Sequence, residues 1–461
     1  MNGKFMAEQR TSIHGQWSNR TVFILAATGS AVGLGNIWKF PYIAGENGGG
    51  TFVLVYLLCI ALIGLPLMMA EVMIGRRGTQ SPVNTMRALA KEENRNPNWV
   101  WLGWLGVIAG ILILSYYSVI AGWAMSYVFR TAGGMFIGVT GDGVKSIFSD
   151  LVSDPERLLA WHTVFMVMTM AVVARGVKHG IEKAVTVLMP LLIGLLVVVV
   201  IYAMTTGYFM DGVRFLFTPG SIDGKGILIA MGHAFFTLSL GMGAIMIYGS
   251  YMKKEHSIAQ ASIIIALADT AVALMAGLAI FPIVFANGLE PGAGPGLIFQ
   301  TLPIAFGHMP GGTLVGVVFF SLLVFAAWTS AISLIEPAVA YLVENKGLSR
   351  IHAAEWMGGI TWFIGLGTVF SFNIWKDKTL TIPYLFEKFT FFDTLDYLTA
   401  NIMLPVGGLF IALFAAWVMR DQSARDEFAT HPMLYNVWRF LVRYITPVAV
   451  IVVFLKAVGA I

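Results

Sequence analysis

Asp269 is the side chain whose position in this sequence most strongly demands chemistry. It lies in the middle of an apolar run at residues 263–273, within a segment long enough to cross a membrane. A carboxylate there must take up a proton or lie beside a cation, because an unpaired charge in an apolar environment is strongly unfavourable. A protonated Asp269 that hydrogen-bonds a neighbouring helix is the structural alternative. We favour a bound cation.

Other oxygen-bearing side chains in apolar segments are candidate ligands for that cation. Asn36, Thr237, Thr329 and Ser330 supply amide and hydroxyl oxygens, the hard ligands that Na⁺ prefers as Ca²⁺ and Mg²⁺ do. Ser and Thr in membrane helices usually bond back to their own helix, and for Thr329 and Ser330 taken alone that reading is the better one. No residues have the spacing of a thiolate or paired-histidine metal site.

Catalytic patterns do not account for these residues. The sequence has no Gly-x-Ser-x-Gly elbow, no His-Glu-x-x-His pair and no phosphate-binding loop,. The single cysteine, Cys59, lies in an apolar run and has no evident base,. His233 is a candidate general base, but a single histidine on an apolar helix is more often structural. We therefore predict that the protein is not an enzyme.

The composition indicates which elements must hold these side chains. Of 461 residues, 57% are hydrophobic and 12% are charged, whereas a soluble domain carries about 25% charged residues. Apolar segments of about 20 residues favour an all-α polytopic membrane protein over a barrel. We predict a single transmembrane transporter domain over residues 1–461 with eleven spans, at roughly residues 21–43, 50–75, 99–130, 160–175, 182–206, 226–252, 257–286, 312–344, 350–371, 394–420 and 434–459.

The basic residues predict an orientation. If the N-terminus is cytoplasmic, nineteen of the 29 Lys and Arg residues fall in the inside loops and tail, as the positive-inside rule requires. The C-terminus then lies outside, and the bilayer is the plasma (inner) membrane. The formal net charge of +4 is explained by this asymmetry, so we predict no nucleic-acid partner.

Glycine pairs interrupt two of the spans. Gly33 and Gly35 lie in the first span, and Gly241 and Gly243 lie in the sixth. Unwound backbone persists at membrane depth only where it is buried in protein or lines a cavity. Glycine pairs also serve helix packing, which is the better explanation for either pair alone. Their matching positions instead indicate a transport site between inverted repeats.

Five spans separate the two interruptions, and an odd number of spans per repeat inverts the second copy. We therefore predict an inverted 5+5 repeat with broken helices 1 and 6. Repeat 1 covers about residues 17–206, repeat 2 covers about residues 226–420, and an additional helix follows at residues 434–459.

Four motifs carry a resemblance to a known family. They are Gly-Ser-Ala-Val-Gly-Leu-Gly-Asn-Ile-Trp-Lys-Phe-Pro at residues 29–41, Glu-Asn-Gly-Gly-Gly at 46–50, Phe-Phe-Thr-Leu-Ser-Leu-Gly at 235–241 and Thr-Ser-Ala-Ile-Ser-Leu at 329–334. In this order they resemble the neurotransmitter:sodium symporter family, and most of all its eleven-span bacterial amino-acid transporters. The resemblance covers residues from about 17 to 445. It implies Na⁺-coupled amino-acid uptake by alternating access between two broken helices.

The resemblance implies two sodium sites built from backbone carbonyls and side-chain oxygens. The first would comprise Ala31, Asn36, Thr237 and Asp269, completed by the substrate carboxylate, and the second Gly29, Val32, Ala326, Thr329 and Ser330. An ion whose ligand is the substrate stabilises the binding of that substrate, and the reverse also holds.

The resemblance also implies a substrate site between the two breaks. The carboxylate would accept N–H bonds from Leu34 and Gly35, where a half-helix begins. The residues lining the site leave no charge for an acidic or basic side chain, so a neutral hydrophobic or aromatic L-amino acid is favoured, with Trp, Tyr, Phe and Leu as candidates. The predicted site residues are Ala31, Gly33, Leu34, Gly35, Ile113, Tyr117, Phe236, Thr237, Ser239, Met242 and Leu334.

Residues at both ends of the predicted site resemble gates. Tyr117 and Phe236 would form an outer lid. His14 falls where relatives often carry an Arg partner of Glu344, which puts that ion pair in question and raises the question of pH dependence. The predicted gate residues are Lys39 and Asp396 on the outside, with Trp17, Arg20, Tyr251 and Glu344 on the inside.

Animal relatives that need chloride hold it near positions that match Tyr56, His233, Thr237, Asp269 and Ala273. Here the fourth position is acidic and the fifth lacks a hydroxyl, so we predict independence of chloride.

Two other functions stay open. One is a proton-coupled amino-acid or amine transporter of the same architecture, and the other is a sensor that binds an amino acid without moving it. For transport itself we predict that a monomer is sufficient.

Overall fold

The computed structural model describes residues 12–290, 296–381, 388–428 and 432–460. Within these ranges the protein is a bundle of helices with one two-stranded antiparallel ribbon, β1 (Leu380–Thr381) paired with β2 (Lys388–Phe389). The helices, numbered in chain order, are α1 (Arg20–Ala31), α2 (Gly35–Glu46), α3 (Gly50–Gly78), α4 (Pro82–Glu92), α5 (Pro97–Ala132), α6 (Gly141–Val152), α7 (Pro155–Val173), α8 (Val177–Met204), α9 (Phe209–Phe217), α10 (Gly224–Thr237), α11 (Ala244–Ser250), α12 (Ile258–Ala286), α13 (Leu297–His308), α14 (Gly312–Lys346), α15 (Arg350–Ser371), α16 (Phe391–Val418), α17 (Asp421–Phe428) and α18 (Pro432–Ala457).

The lengths and apolar composition of these helices make the chain a multi-pass membrane protein. In the described part of the chain, eight helices are long and apolar enough to cross a membrane, and the bent pair α1 and α2 raises the number to nine. The sixth predicted span coincides with the short helices α10 and α11, and the ninth coincides with α15. The full count of eleven spans and the inverted repeat stay predictions.

The first break separates α1 from α2, whose axes differ by 53°. Helix α1 ends at Ala31 because the next residue, Val32, is extended, with ψ 105°. The side chain of Asn36 then satisfies freed backbone by accepting the N–H of Gly33 at 3.0 Å.

A second break separates α10 from α11. Gly241 and Gly243 have φ of 81° and 73°, a conformation that glycine adopts without steric cost. Ser239 also has a positive φ, 55°, and its hydroxyl donates to the carbonyl of Ser30 at 2.8 Å. The two breaks are therefore hydrogen-bonded to each other.

Helix α5 packs closely against α14 and the second break. A Cβ placed on Gly110 would lie 2.4 Å from the carbonyl oxygen of Leu334 in α14 and 3.8 Å from that of Met242 in the second break. Only glycine allows this approach, since real Cβ atoms essentially never come so close. The α5 backbone can thus contact α14 and the second break together.

Candidate functional site

A cluster of buried oxygens joins α2, α10 and α12 around Asp269, which has no exposed surface. The Asn36 amide donates to Asp269 Oδ1 at 2.7 Å and to its backbone oxygen at 3.2 Å. The Thr237 hydroxyl donates to Asp269 Oδ2 at 3.1 Å. Ala31, also predicted here, is the last residue of α1. The structure thus gathers Asn36, Thr237 and Asp269 at one point.

The orientation of Asn36 differs from that of a simple cation ligand. Its oxygen faces the N–H of Gly33 and its NH₂ group faces Asp269. Within the described residues, no Lys, Arg or His nitrogen lies within 4 Å of the Asp269 carboxylate. The charge of the Asp269 carboxylate is therefore compensated by hydrogen bonds alone. Rotation of the Asn36 amide would replace its NH₂ group by its oxygen, which could then serve as a second ligand to a cation beside the carboxylate.

A second oxygen cluster lies on the other side of the first break. The Ser330 hydroxyl approaches the carbonyl oxygens of Gly29 and Val32 at 3.3 and 3.2 Å. In the same turn of α14, the Thr329 hydroxyl donates to the carbonyl of Ala326 at 3.1 Å. A Cβ on Gly29 would lie 3.2 Å from the Thr329 Cβ. All five residues of the second predicted ion site therefore lie in two adjoining segments.

The hydroxyl of Tyr117 lies at the first break. It accepts the N–H of Leu34 at 3.1 Å, and a Cβ on Gly33 would lie 2.9 Å from it. The ring of Phe236 lies beside Gly35, because a Cβ on that glycine would be 3.7 Å away. These residues form the side of the break that faces a cavity.

Deeper residues of the predicted site are buried. Met242 and Leu334 are each 4% exposed and Ile113 is 2% exposed. The backbone carbonyl oxygens of Met242 and Leu334 both lie near Gly110, and Ile113 follows Gly110 by one turn of α5. The buried group therefore has apolar side chains and no ionisable one.

Above the break lies a cavity of about 410 Å³, whose lining includes Leu34, Gly35, Tyr117, Phe236, Lys39 and Asp396. The Lys39 amine lies 5.1 Å from the centre of the Phe236 ring. Lys39 and Asp396 do not form an ion pair within 4 Å in the described structure. The predicted outer gate residues thus surround a cavity and leave it open.

The opposite end of the bundle is packed closed. The indole N–H of Trp17 donates to the carbonyl of Tyr248 at 2.9 Å, and the Trp17 backbone N–H donates to the carbonyl of Tyr251 at 3.0 Å. The Tyr251 hydroxyl donates to Glu336 at 2.6 Å, and Arg350 forms an ion pair with the same carboxylate. The predicted gate residue Tyr251 therefore bonds Glu336 and not Glu344.

Glu344 has its own set of partners. His14 Nε2 lies 3.0 Å from Glu344 Oε1, so His14 occupies the place expected for an Arg partner. The Ser81 N–H and the Asn84 amide each donate to the carboxylate at 2.7 Å. Arg20, the predicted gate residue that begins α1, has a buried Nε without a hydrogen-bond partner among the described residues.

Three ionisable residues of these networks escaped the sequence analysis. Glu71, in α3, accepts the N–H of Gly241 at 3.1 Å and so holds the second break. Glu336 and Arg350 form the inner ion pair. The signal was available for Glu71 and Glu336, since each is a carboxylate in an otherwise apolar span, as Asp269 is.

Comparisons with known proteins give the chain a context. The family described as "Sodium:neurotransmitter symporter family" matches residues 14–135 and 148–461. An uncharacterized sodium-dependent transporter of Bacillus subtilis, YhdH, is 39% identical over 460 residues, covering 98% of this chain and 99% of the relative. A Haemophilus influenzae protein, also described as an uncharacterized sodium-dependent transporter, is 31% identical over 450 residues, with 95% and 97% covered. The crystal structure of MhsT in complex with L-phenylalanine superposes with a TM-score of 0.86 at 43% identity, covering 96% of this chain and 99% of that one.

Proposed function

Because the chain belongs to the sodium:neurotransmitter symporter family, we propose that it couples the inward movement of two Na⁺ ions to uptake of a neutral hydrophobic L-amino acid. The observation that carries this proposal is the pair of oxygen clusters on either side of the first break. Each cluster combines groups from α1 or α2 with groups from a helix distant in sequence. An ion bound in either place joins those helices.

The first ion would neutralise Asp269. A buried carboxylate without a cationic partner is unfavourable, and a bound cation relieves that cost. Rotation of the Asn36 amide would add its oxygen to those of Thr237 and Asp269. The carbonyl of Ala31 and the substrate carboxylate complete the proposed ligand set, so that ion and substrate stabilise each other's binding.

The second ion would take the place of the hydrogen bonds that the Ser330 hydroxyl now makes. That hydroxyl approaches the carbonyls of Gly29 and Val32 within 3.3 Å, and Thr329 lies beside Gly29. A cation among these oxygens, with the carbonyl of Ala326, would tie α1 to α14. It would act on helix geometry without touching the substrate.

The substrate backbone would bind at the first break. Its carboxylate would replace the Tyr117 oxygen at the N–H of Leu34 and would take the N–H of Gly35 at the start of α2, where free donors and the helix dipole favour an anion. The Tyr117 hydroxyl would then donate a hydrogen bond to the carboxylate. The ammonium would meet carbonyl oxygens of the two breaks, from Ala31, Phe236, Thr237 and Ser239.

The substrate side chain would point towards Ile113, Phe236, Met242 and Leu334. None of these residues can pair with a charge, so neutral apolar side chains are favoured. Met242 is unbranched and adaptable, and it lies between two glycines that let the second break change shape. MhsT, the similar protein whose structure contains L-phenylalanine, supports including aromatic side chains. Tryptophan, tyrosine, phenylalanine and leucine are our candidates.

The Asp269 carboxylate would supply the negative charge beside the first ion, so transport would not need chloride. Two Na⁺ ions and a zwitterion move net positive charge inward. Uptake should therefore respond to the membrane potential, by about 2.3 kcal/mol per charge per 100 mV. In the proposed orientation the N-terminus lies in the cytoplasm.

The test uses purified protein in lipid vesicles. Binding of labelled leucine or tryptophan is measured with and without Na⁺ and in competition with all twenty amino acids, and uptake is then followed with chloride replaced by gluconate. We expect sodium-dependent binding, competition by apolar and aromatic amino acids, and uptake in gluconate. A charged or small amino acid as best competitor would contradict the apolar pocket, and collapse in gluconate would contradict chloride independence.

Two results would replace the proposal by its alternatives. Uptake driven by a pH gradient in the absence of Na⁺ would show a proton-coupled transporter. Sodium-dependent binding without accumulation inside the vesicles would show a sensor.

A further inference from the structure

A separate cavity lies on the periphery of the bundle, between the beginning of α5 and the middle of α16. Its volume is about 470 Å³. Trp101, one of its lining residues, is 67% exposed, so protein does not cover the cavity there. The lining is mostly apolar and includes Trp99, Trp101, Trp104, Leu105, Ile108 and Phe410. We call this cavity the tryptophan groove.

Aromatic contacts fix the shape of the tryptophan groove. The ring of Trp99 packs edge-on against Phe410 and Phe414 of α16, at centroid distances of 5.9 and 5.1 Å. The ring of Trp104 packs against Tyr341 of α14 at 4.6 Å. The groove is therefore preformed by contacts within the protein. Aromatic side chains with one apolar and one wet end favour the interface between hydrocarbon and headgroups.

Arg95 adjoins the polar end of the groove, and Lys91 precedes it in the chain. Arg95 precedes Asn96, a lining residue, and its Nε donates to the neutral carbonyl of Val418 at 3.1 Å. Lys91 lies four residues earlier, at the end of α4. Both side chains are exposed, and neither forms an ion pair within 4 Å in the ranges that the structure describes.

The nearby carboxylates do not cancel this charge because other arginines engage them. Glu92 pairs with Arg77 at 2.5 Å, and Glu93 pairs with Arg420 at 2.8 Å. The mouth of the groove is thus positively charged, while its interior is apolar.

We propose that the tryptophan groove binds one anionic glycerophospholipid. An acyl chain lies along Trp101, Trp104 and Ile108, and the phosphate lies at the mouth beside Arg95. Basic residues at this level favour anionic lipids by about 1 kcal/mol each, which is a factor of about five in affinity. The apolar interior accounts for the chain, and the unpaired cations select the headgroup charge.

The groove adjoins the part of α5 that supports the second break. Trp104 and Leu105 line it, and the next residue, Gly106, packs against that break, since a Cβ there would lie 3.0 Å from the nitrogen of Gly243. Bound lipid would therefore hold the turn of α5 that packs against Gly243, the residue before α11. An effect of lipid on transport follows from this contact and rests on the proposed function. Binding of the lipid does not.

Tryptophan fluorescence in vesicles tests the binding step. The protein is reconstituted with phosphatidylglycerol or phosphatidylcholine carrying brominated acyl chains, which quench nearby indoles. The part of the quenching that disappears in Trp101→Phe measures the acyl chains that lie in the groove. Trp356→Phe is the matched control, because Trp356 is similarly exposed, at 64%, but lies on α15.

We expect the Trp101-dependent quenching to occur at lower mole fractions of the anionic lipid. Arg95→Gln should reduce this preference about fivefold, whereas Lys346→Gln should not change it, because Lys346 is an exposed cation at the far end of α14. Equal quenching by both lipids, or a preference that survives Arg95→Gln, would overturn the proposal. Protection of Trp101 from both lipids would also overturn it, because no acyl chain would then lie in the groove.

Uptake measured in the same vesicles separates this inference from the proposed function. If the lipid binds selectively and uptake is absent in every lipid, the proposed function fails and the lipid site stands. If uptake is normal and lipid selectivity is absent, the lipid site fails alone.

Discussion

The buried ion pair between Arg350 and Glu336 should hold one end of the bundle closed, and removing Arg350 tests this. The Glu336 side chain has no exposed surface, and Arg350 is 15% exposed. In Arg350→Gln the carboxylate keeps the Tyr251 hydroxyl, 2.6 Å away, but loses its cation. Breaking a buried pair by removing one partner costs about 3–5 kcal/mol.

The size of the effect on closure follows from this cost. If the pair forms only when this end is closed, the closed state loses at least about 3 kcal/mol, which changes its ratio to the open state about 150-fold. Tyr251→Phe removes one hydrogen bond to a charged group, worth about 1.5–3 kcal/mol, and should act in the same direction with a smaller size.

A reporter cysteine measures the closure. Ser250 is 1% exposed and precedes Tyr251, so Ser250→Cys in a Cys59→Ala background should react with a membrane-impermeant maleimide only when this end opens. We expect Arg350→Gln to raise the labelling rate about 150-fold, in proportion to the population of the open state. Arg425→Gln is the matched control, since its ion pair with Asp421 is half exposed and such pairs contribute about 0–1 kcal/mol. A labelling rate within threefold of the parent would refute the closing role of the ion pair.

Three further predictions concern the proposed ion and substrate sites. Asp269→Asn removes the fixed negative charge, so uptake in gluconate should fall at least about tenfold and recover in chloride, and failure to recover would argue against a charge-balancing role. Ser330→Ala removes a hydroxyl within 3.3 Å of the Gly29 carbonyl; the sodium concentration for half-maximal uptake should rise about fivefold, for a loss of about 1 kcal/mol. Tyr117→Phe removes the hydroxyl at the Leu34 N–H, so labelled leucine should bind about tenfold or more weakly, at about 1.5–3 kcal/mol per bond to a charged group; unchanged affinity would place the carboxylate elsewhere.

The sequence could predict the position of both breaks from their glycines, but the reason is local only at the second: a Cβ on Gly33 would lie 2.7 Å from the hydroxyl oxygen of the distant Ser330. Gly241 and Gly243 have positive φ, and glycine is the residue that accepts this conformation most readily,. The grouping of Ser330 with Gly29 followed from the family resemblance and not from the residue types. A serine in an apolar helix bonds to its own helix in most proteins.

The inner network could not be predicted in the same way. Tyr251 and Glu336 are separated by 85 residues, and their contact depends on how α14 packs beside the end of α11. Glu336 and Glu344 are two carboxylates on one helix, eight residues apart, and the sequence analysis singled out only Glu344. In the folded protein Glu344 pairs with His14, and Glu336 pairs with Arg350. A pattern of residue types carries no information that decides between these partners.

The first break links both proposed ion sites through a very short piece of chain. The carbonyls of Gly29 and Val32 face Ser330, whereas Asn36, four residues after Val32, faces Asp269. An ion bound in either proposed cluster would fix backbone that the other cluster shares, so each ion would lower the ordering cost of binding the other. Since the N–H of Leu34 lies between the two clusters, a substrate carboxylate bound there would benefit from both. Coupling can therefore arise from one ordered segment, without a conformational signal carried across the bundle.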